Sequence, residues 1–232
     1  MTTKEEFDKY ILKTYNRFDI CFVSGKGVYL YSDDGREYLD FASGIAVSSL
    51  GHGDKTLSNA IAKQTKSLIH ISNLYYSLPQ LELAKKLLEK SIFQKVFFCN
   101  SGAEANEGAI KLARKYGKIN GGDSKHQIIT LKNSFHGRTI TTLAATGQTK
   151  YQKGFEPITS GFVYIEMNNI KDLKEKFNDQ ICAIIVEPIQ GEGGVNPITL
   201  PFLKEIKALC EKHNALLIYD EIQTGIGRTG KL

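Results

Sequence analysis

Four short apolar runs restrict this chain to a small set of folds. Each run has five or six residues, is almost continuously apolar, and lies at 95–99, 127–131, 181–186 or 215–219. Stretches with the apolar spacing of amphipathic helices separate or flank them, most clearly at 102–118 and 200–213. Strands buried on both faces of a parallel sheet have this composition, and helices connect them. The pattern therefore predicts an α/β fold with a mostly parallel, doubly wound sheet.

The N-terminal part of the chain has a different pattern. Residues 3–15 have the spacing of a short helix, and 27–31 and 37–41 are predicted strands around a turn. Further helices are predicted at 54–69 and 79–91. The predicted organisation is a small α+β segment at 1–50, followed by a large α/β domain at 51–232. We expect the sheet of that domain to be incomplete at Leu232.

Charge and cysteine spacing argue against several classes of partner. The net charge is +5, but the lysines are spread along the chain rather than gathered in a basic block. The four cysteines are far apart and lack the spacing of a metal site. The N-terminus is polar, and no apolar stretch approaches the length of a membrane span. We expect a cytoplasmic protein that binds no nucleic acid, membrane or metal.

Two of the predicted strands lead into segments suited to bind an anionic, planar ligand. Residues 100–102 (Asn-Ser-Gly) run directly into a predicted helix, whose N-terminal N–H groups favour a phosphate; simple helix capping is the alternative. Phe135 could stack on a flat ring, or be a core aromatic. Arg138 could bind a carboxylate, or form a surface ion pair. His136 is interpreted as a packing or hydrogen-bonding residue.

The other two predicted strands end on carboxylates. Glu187 follows the run at 181–186, with Glu192 in the glycine-rich loop beyond, and a solvated turn is the alternative. Asp220 and Glu221 follow the run at 215–219. Ligands of open α/β sheets bind beyond the carboxyl ends of the strands. Taken with the phosphate cradle, the aromatic and the arginine, these acids suit a phosphorylated, electron-accepting ring, and pyridoxal phosphate fits this description.

A nucleotide-binding loop is the competing interpretation from another class. Residues 225–231 match most of the P-loop pattern G-x-x-x-x-G-K-[ST]. The position that requires a magnesium-binding hydroxyl is Leu232, and four residues separate the loop from the strand-ending Asp220. We therefore interpret this match as coincidental.

Six motifs extend over nearly the whole chain from residue 20. They are DFASGIAVSSLGH (40–52), NLYY (73–76), NSGAEAN (100–106), SFHGRT (134–139), VEPIQGEGG (186–194) and DEIQTGIGRTGKL (220–232). With these motifs the chain resembles the class III (ornithine-type) aminotransferases, which have the fold type I of pyridoxal phosphate enzymes. The resemblance implies a dependence on pyridoxal phosphate.

The resemblance also implies roles for individual residues. The cofactor contacts it implies are Ser101, Gly102, Ala103, Phe135, Glu187, Asp220, Glu221, Ile222 and Gln223. Asp220 is expected to act in catalysis by keeping the ring nitrogen protonated, so that the ring accepts electrons. Arg138 is expected to bind a substrate carboxylate, and Glu192 to act as a gate between substrates of different charge. Many relatives have threonine where this chain has Ala103.

The reaction implied by the resemblance is transfer of the amino group of N-acetylornithine to 2-oxoglutarate, in arginine biosynthesis, by a homodimer. The lysine that forms a Schiff base with the cofactor follows the DEIQTG motif by some tens of residues in relatives, so we expect it beyond Leu232. Residues 1–232 alone are then expected to be inactive. The alternatives are another ω-aminotransferase, acting on ornithine, succinyl-diaminopimelate or 4-aminobutyrate, and a non-catalytic module that binds pyridoxal phosphate.

Overall fold

The structure, a computed structural model, describes residues 3–231 and divides into two compact units, residues 1–83 and 84–232. The domain boundary predicted after residue 50 is a different division and stays a prediction. None of the helices in residues 3–231 is long and apolar enough to cross a membrane.

The first unit contains a three-stranded antiparallel sheet with the strand order β1-β2-β3. Its elements are α1 (Thr3–Tyr10), β1 (Phe22–Lys26), β2 (Tyr29–Ser32), β3 (Glu37–Leu39), α2 (Ser43–Ala46) and α3 (Lys55–Thr65), and α4 (Leu78–Leu88) spans the division. The hairpin predicted from the turn residues is confirmed as β2 and β3, with Leu30 opposite Tyr38. Sequence reasoning missed β1, because its residues FVSGK lack an alternating apolar pattern.

The second unit contains a four-stranded sheet with the order β5-β4-β6-β9, in which all neighbours are parallel. Its elements are α5 (Gly102–Gly121), β4 (Gln127–Leu131), α6 (Ile140–Ala145), α7 (Thr149–Gln152), β5 (Phe162–Ile165), α8 (Ile170–Lys176), β6 (Ile181–Val186), β7 (Ile189–Gln190), β8 (Asn196–Pro197), α9 (Leu200–Lys212) and β9 (Leu216–Tyr219). The prediction of a parallel α/β sheet from continuous apolar runs is confirmed.

One of the four predicted strands is wrong. Residues 95–99 form no strand, and Phe97 is 76% exposed. A strand needs a neighbour to satisfy its backbone N–H and C=O groups, and none of the described strands pairs with this segment. It lies instead near α5, where a Cβ added to Gly108 would be 3.5 Å from the Phe97 ring. An apolar run is therefore insufficient evidence for a strand when its partner is unknown.

Helices cover the four-stranded sheet on both faces. On one face Ile184 and Val186 of β6 belong to a buried cluster with Phe202 and Ile206 of α9. On the other face Ile185 of β6 belongs to a second buried cluster, which includes Ile110 and Ala113 of α5. All six residues of β6 are buried, as expected for a central strand.

The side of α5 that faces the sheet carries one polar residue. The buried residues are Asn106, Ile110, Ala113 and Gly117, whereas the apolar Leu112 is 67% exposed. The spacing of 106, 110, 113 and 117 is that of one helix face. A polar residue, Asn106, therefore lies on the core side of the helix.

Gly117 provides a test of how closely α5 packs on the sheet. A Cβ at this position would lie 2.2 Å from the backbone oxygen of Lys125 and 2.5 Å from Cβ of Cys182. Alanine normally stabilises a helix by about 1 kcal/mol relative to glycine. Gly117→Ala is expected instead to lower the free energy of unfolding by about 1–3 kcal/mol, because the backbone must shift.

The matched control for this variant is Gly108→Ala in the same helix, where the new Cβ makes only an ordinary contact, 3.5 Å from Phe97. We expect this variant to be as stable as the unmodified protein or up to about 1 kcal/mol more stable. Urea unfolding followed by circular dichroism measures both. Equal stabilisation by the two alanines would show that α5 is not packed as closely as described.

Candidate functional site

The carboxyl ends of β4, β6 and β9 bring together the loops that the sequence singles out. Glu187 directly follows β6 and Asp220 directly follows β9, and the backbone N–H of Asp220 donates to the oxygen of Val186 at 2.8 Å. The loop after β4 carries Phe135, His136 and Arg138. Because the three strands are parallel and adjacent, their ends meet at one edge of the sheet, where ligands of such sheets bind.

Asp220 lies at the centre of this site and is only 6% exposed. Its Oδ2 accepts hydrogen bonds from Nδ2 of Asn106 at 2.8 Å and from Nδ1 of His136 at 2.6 Å. Its Oδ1 accepts a hydrogen bond from the backbone N–H of Ile222 at 3.1 Å. The carboxylate therefore has three donors, from α5, the loop after β4 and the segment after β9.

The surroundings of Asp220 favour its ionised form. Burial by itself would raise the pKa of this carboxyl. The hydrogen bond and the charge of His136, together with the hydrogen bonds from Asn106 and Ile222, outweigh burial and leave the pKa of Asp220 below its ordinary value. A buried acid that stays ionised is suited to hold a cationic group of a ligand.

Sequence reasoning missed Asn106 as a functional residue and gave His136 only a packing or hydrogen-bonding role. His136 is 2% exposed, its backbone N–H donates to Oγ1 of Thr146 at 2.9 Å, and its Nε2 is buried with no partner among the residues described. The signal for Asn106 is its position, because it shares the helix face of Ile110, Ala113 and Gly117. A polar side chain on an otherwise apolar face requires a buried partner.

The N-terminus of α5 has the capping geometry that was the alternative to phosphate binding. Oγ of Ser101 accepts from the N–H of Glu104 at 3.2 Å, and Oε2 of Glu104 accepts from the N–H of Asn100 at 2.6 Å. The first backbone hydrogen bond of this helix runs from the N–H of Ala105 to the oxygen of Ser101 at 3.0 Å. The N–H groups of Gly102 and Ala103 precede that bond, so capping and anion binding are compatible here.

Close backbone approaches join the loops. A Cβ added to Gly102 would lie 2.6 Å from the side chain of Ile222, and one added to Gly137 would lie 2.9 Å from Cβ of Ala103. A Cβ added to Gly191 would lie 1.8 Å from Oε1 of Gln223. The segments 101–103, 135–138, 187–191 and 220–223 are therefore in mutual contact.

Phe135 is held by contacts on several sides. The Arg138 guanidinium lies 5.5 Å from its ring centroid, and the Tyr151 ring meets it edge to face at 5.9 Å. Its backbone N–H donates to Oε1 of Glu187 at 2.9 Å, and the N–H of Gly191 lies 3.4 Å from the other oxygen of Glu187. Burial raises the pKa of Glu187. Glu187 thus links the loop after β6 to the loop after β4.

The remaining predicted residues lie at the edge of this arrangement. Glu192 is exposed in the turn that follows Gly191, and Glu221 is exposed beside Asp220. Residues 222–229 form consecutive turns. Five residues, 220–224, separate β9 from the P-loop match at 225–231, and Leu232 stands where that pattern requires a hydroxyl, so the match does not have the arrangement of a nucleotide-binding loop.

Comparisons with known proteins agree on one family. A family model described as aminotransferase class-III matches residues 10–232. The acetylornithine aminotransferase of Caldanaerobacter subterraneus subsp. tengcongensis is 54% identical over 97% of this chain and 57% of that protein. The succinylornithine transaminase of Yersinia pseudotuberculosis serotype O:1b is 48% identical over 99% of this chain and 57% of that protein.

Solved structures of aminotransferases have folds similar to that of this chain. An ornithine aminotransferase from Toxoplasma gondii, whose structure shows partial occupancy of pyridoxal phosphate at its active site, superposes with a TM-score of 0.93. It is 33% identical, with 99% of this chain and 55% of that chain covered. The present chain thus spans a little over half the length of the relatives it matches.

Proposed function

Because the chain belongs to the class-III aminotransferases, we propose that the site at the ends of β4, β6 and β9 binds pyridoxal phosphate and serves amino-group transfer. The observation that carries this proposal is the buried carboxylate of Asp220, which accepts three hydrogen bonds where the loops after β4, β6 and β9 meet the N-terminus of α5. Residues 101–103 at the N-terminus of α5 are the phosphate end of the proposed site.

The residues present fit this cofactor. A protonated ring nitrogen needs a buried anion, and the pKa of Asp220 is lowered by donors that favour its charged form. A flat ring needs an aromatic neighbour, which Phe135 provides. His136 has a buried Nε2 without a partner among the described residues, so the site retains polar capacity beyond its internal hydrogen bonds.

When bound, pyridoxal phosphate supplies an electron-accepting ring that stabilises negative charge developing on the substrate carbon. Asp220 holds the proton on the ring nitrogen, which keeps the ring electron-poor. Phe135 orients the ring by stacking. Glu187 fixes Phe135, because its carboxylate accepts a hydrogen bond from the backbone N–H of Phe135. Gln223, whose side chain lies against Gly191, is proposed to approach the ring hydroxyl.

Two exposed residues are proposed to meet the substrates. Arg138 has a guanidinium stacked over Phe135, from which it can form a bidentate contact with a substrate carboxylate. Glu192, exposed in the turn after Gly191, is proposed to separate substrates of different charge. We propose N-acetylornithine as the amino donor and 2-oxoglutarate as the acceptor, in arginine biosynthesis, in a cytoplasmic homodimer. The support for this donor is the name of the relative that shares 54% identity.

The substrate is tested by steady-state rates on N-acetylornithine, N-succinylornithine, ornithine and 4-aminobutyrate, with 2-oxoglutarate as acceptor. We expect the highest kcat/KM for N-acetylornithine, using the natural gene product that contains these residues. A higher value for N-succinylornithine, free ornithine or 4-aminobutyrate would contradict the proposed donor and leave the cofactor proposal standing.

Covalent labelling tests the cofactor and its lysine. Borohydride reduction of the gene product with pyridoxal phosphate is expected to attach the cofactor to one specific lysine, identified by mass spectrometry. From the order of motifs in the family, we expect that lysine to follow the DEIQTG motif and lie outside residues 1–232. A specific adduct on a lysine within residues 1–232, together with turnover by those residues alone, would contradict this expectation.

A further inference from the structure

We propose that Asn106 is a positioning residue for Asp220, which reserves Oδ1 of that carboxylate for the ring nitrogen of the cofactor. This inference rests on the proposed function and extends it to Asn106, which is not among the proposed cofactor contacts. The geometry points to it because the two oxygens of Asp220 have different partners.

Oδ2 is the oxygen whose hydrogen-bonding capacity is used internally. It accepts from two side chains, Asn106 at 2.8 Å and His136 at 2.6 Å. Oδ1 accepts a single described hydrogen bond, from the backbone N–H of Ile222 at 3.1 Å. A carboxylate oxygen has about two lone-pair sites. Oδ2 is thus saturated within the protein, and Oδ1 keeps one site for a further donor such as a protonated ring nitrogen.

The amide of Asn106 is fixed by using both of its N–H groups. Nδ2 donates to Oδ2 of Asp220 and also to the backbone oxygen of His136, both at 2.8 Å. Rotating the amide by half a turn would place its oxygen against two acceptors, so only one orientation is favourable. Asn106 therefore holds the end of β9 and the loop after β4 in a single arrangement.

Its place in the fold explains why an amide is required there. Asn106 is 5% exposed on the face of α5 that otherwise presents Ile110, Ala113 and Gly117 to the sheet. An aliphatic side chain would fill the same space but leave the carbonyl of His136 and one lone pair of Asp220 without a donor. Burial and, to a lesser extent, the charge of Asp220 raise the pKa of Glu187, a second buried carboxyl at the site. The donors on Oδ2 lower the pKa of Asp220 against the opposing effect of its own burial.

The test compares two ligands that differ at one atom. The dissociation constants of pyridoxal phosphate and of its analogue with carbon in place of the ring nitrogen are measured for unmodified protein and for Asn106→Ala. If Asn106 acts through Asp220, the variant is expected to bind pyridoxal phosphate about tenfold more weakly, and the analogue less than about threefold more weakly. A role in folding alone would weaken both ligands equally, and that result would overturn the inference.

Two further variants keep the test interpretable. Asn106→Ser retains a shorter hydroxyl donor and is expected to show an intermediate ligand preference. Asn120→Ala removes an exposed amide of the same helix, which donates to the oxygen of Tyr116 at 2.8 Å, and is expected to leave both constants unchanged. Circular dichroism confirms that each variant is folded.

A cofactor-free measurement separates this inference from the proposed function. The carboxyl ¹³C resonance of Asp220 in the protein without ligand is expected to titrate at a higher pKa in Asn106→Ala than in the unmodified protein. An unchanged pKa would overturn the inference, even if pyridoxal phosphate binds normally. Failure of the unmodified protein to bind pyridoxal phosphate would overturn the proposed function, whereas binding with an equal loss for both ligands overturns only the role of Asn106.

Discussion

Asp220→Asn is expected to lower kcat/KM of the natural gene product by about 10²- to 10³-fold. The carboxylate is buried, and its loss removes the anion that keeps the cofactor ring nitrogen protonated. Losing one member of a buried charge pair costs about 2–5 kcal/mol, and each 1.4 kcal/mol corresponds to a factor of about ten. Asparagine preserves the shape of the side chain, so the effect isolates the charge. Steady-state kinetics with 2-oxoglutarate as acceptor measure it.

The matched control is Asp123→Asn, which removes the carboxylate of an exposed ion pair with Lys118 at 2.8 Å. Exposed pairs contribute at most about 1 kcal/mol, and this one is away from the site loops. We expect its kcat/KM to stay within about twofold of the unmodified value. Comparable losses in the two variants would contradict a specific role for Asp220.

Asp220→Asn is also expected to change how the free energy of unfolding depends on pH. Because the pKa of Asp220 is lowered in the folded protein, its ionised form stabilises the fold above the ordinary value near 3.8. That contribution is lost as the pH falls through the lowered folded-state pKa. Asp220→Asn is expected to lose less stability than the unmodified protein over this acidic window, as measured by urea unfolding at a series of pH values.

Phe202→Ala is expected to lower the free energy of unfolding by about 3–5 kcal/mol. Phe202 is fully buried in α9, within the cluster that includes Ile184 of β6 and Ile206. Removing the ring leaves a cavity that its neighbours fill only in part. Since a typical domain is stable by about 5–15 kcal/mol, the variant loses a large share of its stability.

The control for this variant is Phe155→Ala, which removes a phenyl ring that is 61% exposed. It is expected to change the free energy of unfolding by less than about 0.5 kcal/mol. Urea unfolding followed by circular dichroism compares the two. A loss below about 1 kcal/mol for Phe202→Ala would contradict the packing of α9 on the sheet.

Sequence patterns predict the parallel sheet better than its surroundings. The strands β4 and β6 are nearly continuous apolar runs and are buried along almost their whole length, as strands covered on both faces are. The strand β9 is also an apolar run, but it lies at an edge of the sheet and is only partly buried. The segment 95–99 has the same composition but no strand partner among the described residues. The helices α6, α7 and α8 have four to seven residues, too few for an apolar period to be recognised. Strand pairing and short helices depend on tertiary contacts that no local pattern contains.

The sequence likewise predicts only part of the candidate functional site. Residues at the ends of strands, such as Glu187 and Asp220, could be predicted because strand direction places them at one edge. Asn106 could not, because its partner Asp220 is 114 positions away in sequence and they meet only through the packing of α5 on the sheet. The sequence favours a packing or hydrogen-bonding role for His136, and the structure shows the hydrogen bond. The sequence does not identify Asp220 as the partner.

A crystal structure of the gene product with pyridoxal phosphate bound tests the central claim most directly. We predict the phosphate at the N-terminus of α5, the ring beside Phe135, and the ring nitrogen within about 2.7–3.2 Å of Oδ1 of Asp220. A cofactor bound elsewhere, or one whose ring nitrogen has no contact with Asp220, would contradict the assignment of this site.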